Sequence, residues 1–149
     1  MIEKMLHQVT GKRLTSAGGT FHIFDGCVSV DPIALWFGFD GARQYRFAGA
    51  SDGWHLVIDY IQPRDVDMQE SGTIQFRDMS THPLILLAIG QEVCRAWLVG
   101  SPGPEDIIGV RFDFASCMIR ILNWGDEMRV VSEFPPDADA NEIVECPIQ

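Results

Sequence analysis

Four histidines, four cysteines and three close pairs of carboxylates carry whatever chemistry this 149-residue chain can do. A metal site needs its donors at ligand spacing, and His7, His22, His55 and His82 form no HExxH, HxH or His-plus-CxxC arrangement. Cys27, Cys94, Cys117 and Cys146 are scattered with no CxxC pair. Three of them fall in apolar, strand-like segments, where a thiol behaves as a small hydrophobe, so reduced structural thiols are expected. Asp65/Asp67, Glu105/Asp106 and Asp126/Glu127 offer paired carboxylates, as acid–base chemistry needs. All three pairs lie in segments that read as loops or turns, where solvated charge is the ordinary role. No GxSxG, no P-loop and no GxGxxG after a strand is present. The sequence offers no nucleophile–base pair, and the expectation is a protein with no catalytic residues, metal or cofactor.

What remains is contact chemistry. If Leu35, Phe37 and Phe39 face a core, Trp36 faces outward, and Trp124 sits in the turn Asn-Trp-Gly-Asp. A tryptophan beside carboxylates is the kind of anchor found at interface hot spots. Trp36 and Trp124 are therefore the candidate anchors, and Asp52, Glu105, Asp106, Asp126 and Glu127, all near turns, the candidate acidic contacts. The competing role is structural. Trp36 would then lie under the 61–72 loop or a helix, and Trp124 would fold back onto its sheet. Trp54 and Trp97 are in phase with alternating core residues and read as structural.

The elements that would position these residues are written twice. Ile33, Leu35, Phe37 and Phe39 alternate with Ala34, Trp36, Gly38 and Asp40; Ile108, Val110, Phe112 and Phe114 alternate with Gly109, Arg111, Asp113 and Ala115. Period two over about eight residues marks a strand with one face on a core. An apolar-Arg-apolar triplet follows each copy, Tyr45-Arg46-Phe47 and Ile119-Arg120-Ile121. Five residues beyond each triplet stands an aspartate, Asp52 or Asp126, and then a third alternating run begins. Each unit is a three-stranded meander, and two meanders stacked face to face bury a common core. The expected fold is mainly β, a duplicated antiparallel meander forming a sandwich or partly closed barrel in one domain over 1–149. The halves run over about 10–60 and 89–132. TGKRL at 10–14 and IGQEV at 89–93 are a looser match, read as a leading strand. Residues 61–72 look like the joining loop, 73–77 a short strand, 80–89 a short helix after Pro83 or else a buried strand, and 93–99 a strand.

Composition limits the partners. The net charge is −10 and the pI near 4.6, so nucleic acid and anionic membranes would repel the chain, whereas a basic protein would not. Residues 133–149 hold five acidic and no basic residues, half of that net charge, and read as a peripheral, partly mobile tail. The N-terminus has no apolar run of signal-peptide length, and the longest apolar run, residues 84–89, is far short of a membrane span; a cytoplasmic location is expected.

The Ile108-Gly-Val-x-Phe-x-Phe strand, the Ile119-x-Ile partner and the Asn123-Trp-Gly-Asp-Glu turn, with their echo in 33–58, resemble the small acidic immunity proteins of bacterial polymorphic toxins, including contact-dependent growth inhibition systems. The resemblance covers most of the chain as architecture. It implies a non-enzymatic antitoxin that binds one cognate toxin domain and covers its active site. The alternatives are a β-barrel or sandwich that takes an apolar ligand among its nine Phe and four Trp, or a structural subunit of a larger assembly.

Overall fold

A computed structural model describes residues 2–100, 106–125, 127–138 and 142–148. The alternating runs become strands of two antiparallel sheets. In chain order the elements are α1 (Ile2–Val9), β1 (Leu14–Phe24), β2 (Cys27–Val28), β3 (Ala34–Phe39), β4 (Gln44–Gly49), β5 (Leu56–Asp59), β6 (Val66–Asp67), β7 (Thr73–Asp78), α2 (Pro83–Ala88), β8 (Arg95–Gly100), β9 (Ile107–Asp113), β10 (Met118–Trp124), β11 (Glu127–Val131) and β12 (Val144–Pro147). The first sheet has the order β5-β4-β3-β1-β7-β6, with β2 hairpinned onto β1, and the second the order β11-β10-β9-β8-β12. Neither sheet closes on itself, so the fold is a sandwich and not a barrel.

The repetition extends beyond the meanders. Each half begins with a short helix and a glycine at positive φ, Gly11 (+83°) or Gly90 (+85°), a conformation that Gly adopts without the Cβ clash other residues suffer. Next come a leading strand (β1 or β8), a meander (β3-β4-β5 or β9-β10-β11), and a strand that returns to the free side of the leading one (β7 or β12). Registers match as well: Ala17 faces Phe37 as Ala96 faces Phe112, and Trp36 faces Arg46 as Arg111 faces Arg120. The loosely matched 10–14 and 89–93 segments bind each other. Gly11 N donates to Val93 O (2.8 Å) and Gly90 N to Leu14 O (2.7 Å), while Leu14 N donates to Gln91 O (3.0 Å) and Val93 N to Lys12 O (2.9 Å). Each bond has its counterpart under exchange of the halves, so the repeats are joined by a local pseudo-twofold. The length difference between the copies is absorbed by the β1–β2 hairpin, whose Asp25-Gly26 turn has both residues at positive φ.

Between the sheets, Phe37, Phe39 and Phe47 meet Phe112, with ring centroids 5.8–6.1 Å from it. All four are at most 3% exposed, so the space between the sheets is filled by side chains. The outer faces are covered too. Gly109, opposite Leu122, is a place where covering leaves no room, since a Cβ there would stand 2.5 Å from the Ile121 carbonyl oxygen. Gly109→Ala should therefore destabilise the protein by about 1–3 kcal/mol, as overpacking against fixed backbone does, and a urea midpoint unchanged from the parent would contradict this contact.

Two sequence-based expectations need correcting. The tail is docked, not peripheral: Val144–Pro147 pairs with β8, Arg120 lies over the Phe134 ring at 4.5 Å, and Arg120 and Arg111 both bond Glu145. The cysteines are all free, as expected, but Cys27 and Cys94 are exposed, and Cys117 and Cys146 are only partly covered. Trp97 has the structural role expected of it, on the outer face of its sheet. Ala96 and Leu98 face inward, which turns Trp97 outward under Arg111 (4.6 Å), with its indole N–H on Asp113 (2.8 Å). Residues 80–89 supply helix α2, with Pro83 in its first turn, and α1 is a helix that the sequence reading did not assign. No helix among the described residues is long and apolar enough to cross a membrane.

Candidate functional site

Antiparallel pairing decides which turns meet. The β4–β5 turn lies at one end of the sandwich; β9 starts, and β10 ends, at that same end of the second sheet. There the side chain of Asp52 organises residues 50–55. Its Oδ1 accepts from the backbone N–H groups of Trp54 (2.8 Å) and His55 (2.9 Å), while Gly53 turns the chain at φ +71°. Asp52 Oδ2 also takes a short hydrogen bond from His55 Nδ1, and the opposite ring nitrogen, Nε2, meets Asp106 Oδ1 at 3.2 Å, just ahead of β9. Asn123 Nδ2 donates to the His55 carbonyl (2.9 Å) and so ties the turn to the end of β10. The loop is thus held from both sheets.

Trp54 projects from this pinned turn, 45% exposed. Its phase with Leu56 and Ile58 predicts a structural role, but strand geometry begins only at Leu56, and the Asp52 turn breaks the alternation before it. The sequence signal that locates it is local: an Asp-Gly-Trp-His run is an aspartate-initiated turn, in which the tryptophan has no strand to place it.

Of the expected site residues, Asp52 and Asp106 are brought together through His55. Glu127 is exposed opposite Trp124 across the β10–β11 hairpin, whose turn starts with Gly125 at φ +62°. Trp124 is half-buried, packed with Phe134 and Ile143 of the tail against Val99, Ile108 and Leu122, and its indole N–H points to Asp137 (3.4 Å). It serves first to seat the tail. Glu105 and Asp126 lie outside the described residues. Trp36 does not join this site at all. It is 4% exposed, edge-on to Phe76 (5.7 Å), with its indole N–H on the Ile61 carbonyl (2.7 Å). The 61–72 segment covers it, so Trp36 is not a free anchor.

Electrostatics at this end are set by the two carboxylates on one imidazole. The hydrogen bond to Asp52, then that to Asp106, raises the His55 pKa. The bond from His55, with the two backbone N–H groups, lowers Asp52 to about 2. A histidine in the unfolded chain titrates near ~6.5 and an aspartate near ~3.9. The His55 contribution to stability is therefore complete below about pH 6.5 and is lost as pH rises through its raised folded value. The Asp52 contribution is present above about pH 4 and is lost as pH falls towards 2. The bridge is strongest between those limits. A proton NMR titration should place the His55 midpoint above about 6.5, and Asp52→Asn should lower it; a midpoint indifferent to that substitution would contradict the bridge.

The site has charge, one exposed aromatic ring and a fixed backbone. Among the described residues no hydroxyl or thiol nucleophile bonds His55, and no group of three or more His, Cys, Asp or Glu side chains is placed to hold a metal. No family model matches the chain, and neither a curated protein sequence nor a solved structure matches it.

Proposed function

We propose that this acidic end is a protein-docking surface and that the chain is a non-enzymatic immunity protein, neutralising a basic, nuclease-type toxin domain by covering its active site. The observation that carries the reading is Trp54, exposed on a turn that Asp52 and His55 hold rigid and that Asp106 bonds through His55, with the exposed Glu127 on the β10–β11 hairpin at the same end. A large ring on a loop ordered before encounter loses little conformational freedom on binding. The surrounding carboxylates complement a cleft built to hold phosphate, and opposite fields speed association. Trp54 takes the anchoring role first given to Trp36, and Trp124 serves to seat the tail.

The charge component is tested by kinetics. Glu127→Lys should slow association with a basic toxin domain by about three- to tenfold at low salt, with the difference shrinking at high salt as screening grows. Association rates that match the parent at every salt concentration would remove Glu127 from the interface.

A further inference from the structure

Two basic side chains of this acidic chain, Lys12 and Arg43, line one cleft at the opposite end of the strands. The 40–43 turn between β3 and β4 lies there, with the end of α1 and Gly11. Comparison of the two repeats exposes a difference. In the second, Gln91 follows Gly90 and closes the notch between helix and hairpin: its Nε2 donates to Ser116 Oγ (2.7 Å), and its Oε1 accepts from Ser116 N (3.2 Å). In the first, the residue after the equivalent Gly11 is Lys12, which reaches only the Gly41 carbonyl, at 3.5 Å. A cleft of about 440 Å³ remains open, lined by Gln8, Lys12, Ala42, Arg43, Tyr45 and Tyr60.

Its chemistry is cationic and hydrogen-bonding. The Arg43 guanidinium lies over the Tyr60 ring at 5.0 Å, and the Tyr45 and Tyr60 hydroxyls both donate to Gln8 Oε1, at 3.4 and 3.3 Å. Tyr45 is 2% exposed, and burial, then the neighbouring Tyr60 hydroxyl, raises its pKa, so it stays a neutral donor. Among the described residues neither Lys12 nor Arg43 has a carboxylate within ion-pair distance, whereas Arg46, Arg111 and Arg120 each have one. Asp40, the carboxylate of the same turn, does not line the cleft.

We propose that this cleft binds a small molecule through a phosphate or carboxylate group, held between the Lys12 ammonium and the Arg43 guanidinium. Arg43 supplies the planar fork that matches an oxyanion, Lys12 a point charge, and the Gln8–Tyr45–Tyr60 cluster neutral polar groups on the cleft wall. The site is independent of the acidic end and of the role given to it.

Amide NMR titrations at low ionic strength test this, one with inorganic phosphate and one with citrate, on the parent and on Lys12→Gln/Arg43→Ser. Saturable shifts confined to residues 8–12, 41–45 and 60 are expected, with binding at least about tenfold weaker in the double variant and an unchanged melting temperature. Arg43→Lys, which keeps the charge, should retain most of the affinity. Shifts with phosphate alone assign a phosphate site, with citrate alone a carboxylate site, and with both a site for either group. Absence of saturable shifts with both ligands, or equal affinity in the parent and the double variant, would overturn the proposal.

Discussion

Phe112→Ala should cost about 3–5 kcal/mol of folding stability, a large share of the roughly 5–15 kcal/mol that holds a domain of this size together. The reason is position. Phe112 is fully buried on β9, and its ring stands 6.1, 5.8 and 6.1 Å from those of Phe37, Phe39 and Phe47 on the opposite sheet. Truncation removes a ring from the interface between the sheets and leaves a cavity that the surrounding strands, fixed by their ladders, cannot collapse to fill. Phe76→Ala is the internal comparison, because Phe76 is 37% exposed on the outer face and loses less buried area. Urea unfolding of the two variants should separate them clearly; a loss under about 1.5 kcal/mol for Phe112 would mean that the sheets do not share this cluster.

The second large effect separates two tryptophans. Trp54→Ala should leave stability within about 0.5 kcal/mol of the parent, since the ring is half out in solvent and its loop is held by Asp52, His55 and Asn123. Binding of the cognate partner should weaken by about 2–4 kcal/mol, roughly 30- to 1000-fold, the range of a central aromatic anchor. Trp36→Ala should do the reverse. Removing a ring that packs on Phe76 and bonds the Ile61 carbonyl costs about 3–5 kcal/mol of stability, while the fraction that stays folded binds normally. If Trp36→Ala kept its stability and lost binding, the assignments of the two residues would have to be exchanged.

The sequence made the meanders legible because period-two alternation is imposed by the pleat itself, and two copies of it reinforced each other. Pro83 located α2 in the same local way. The helix α1 was hidden because its apolar residues, Met5, Leu6 and Val9, are few and lie among His7, Gln8 and Lys4, with no cap to mark its start. The charge of the tail predicts mobility, whereas Glu145 is the partner of Arg111 and Arg120, and Phe134 lies beneath the Arg120 guanidinium. An acidic residue that meets two largely covered arginines orders a segment instead of releasing it.

At the candidate site the carboxylates were legible and the aromatics were not. Asp52 and Asp106 were found from their turns, and the structure joins them through a histidine that spacing alone had given no partner. Trp36 was expected outside because alternation says which face a residue points to, not whether that face is covered. Here Phe76 and the 61–72 segment cover it, contacts far away in sequence. Trp54 failed for the opposite reason, since alternation was extended past the end of its strand into a turn.

The central claim is that the end bearing Trp54, Asp52, Asp106 and Glu127 docks a basic toxin domain. Calorimetric titration of the C-terminal domain encoded by the adjacent upstream gene into the parent and into Trp54→Ala, at low and high salt, tests it most directly. A one-to-one complex is expected, weaker at high salt, and weakened at least 30-fold by Trp54→Ala in a protein that melts like the parent. No complex, or a complex of equal affinity in both proteins, would contradict it.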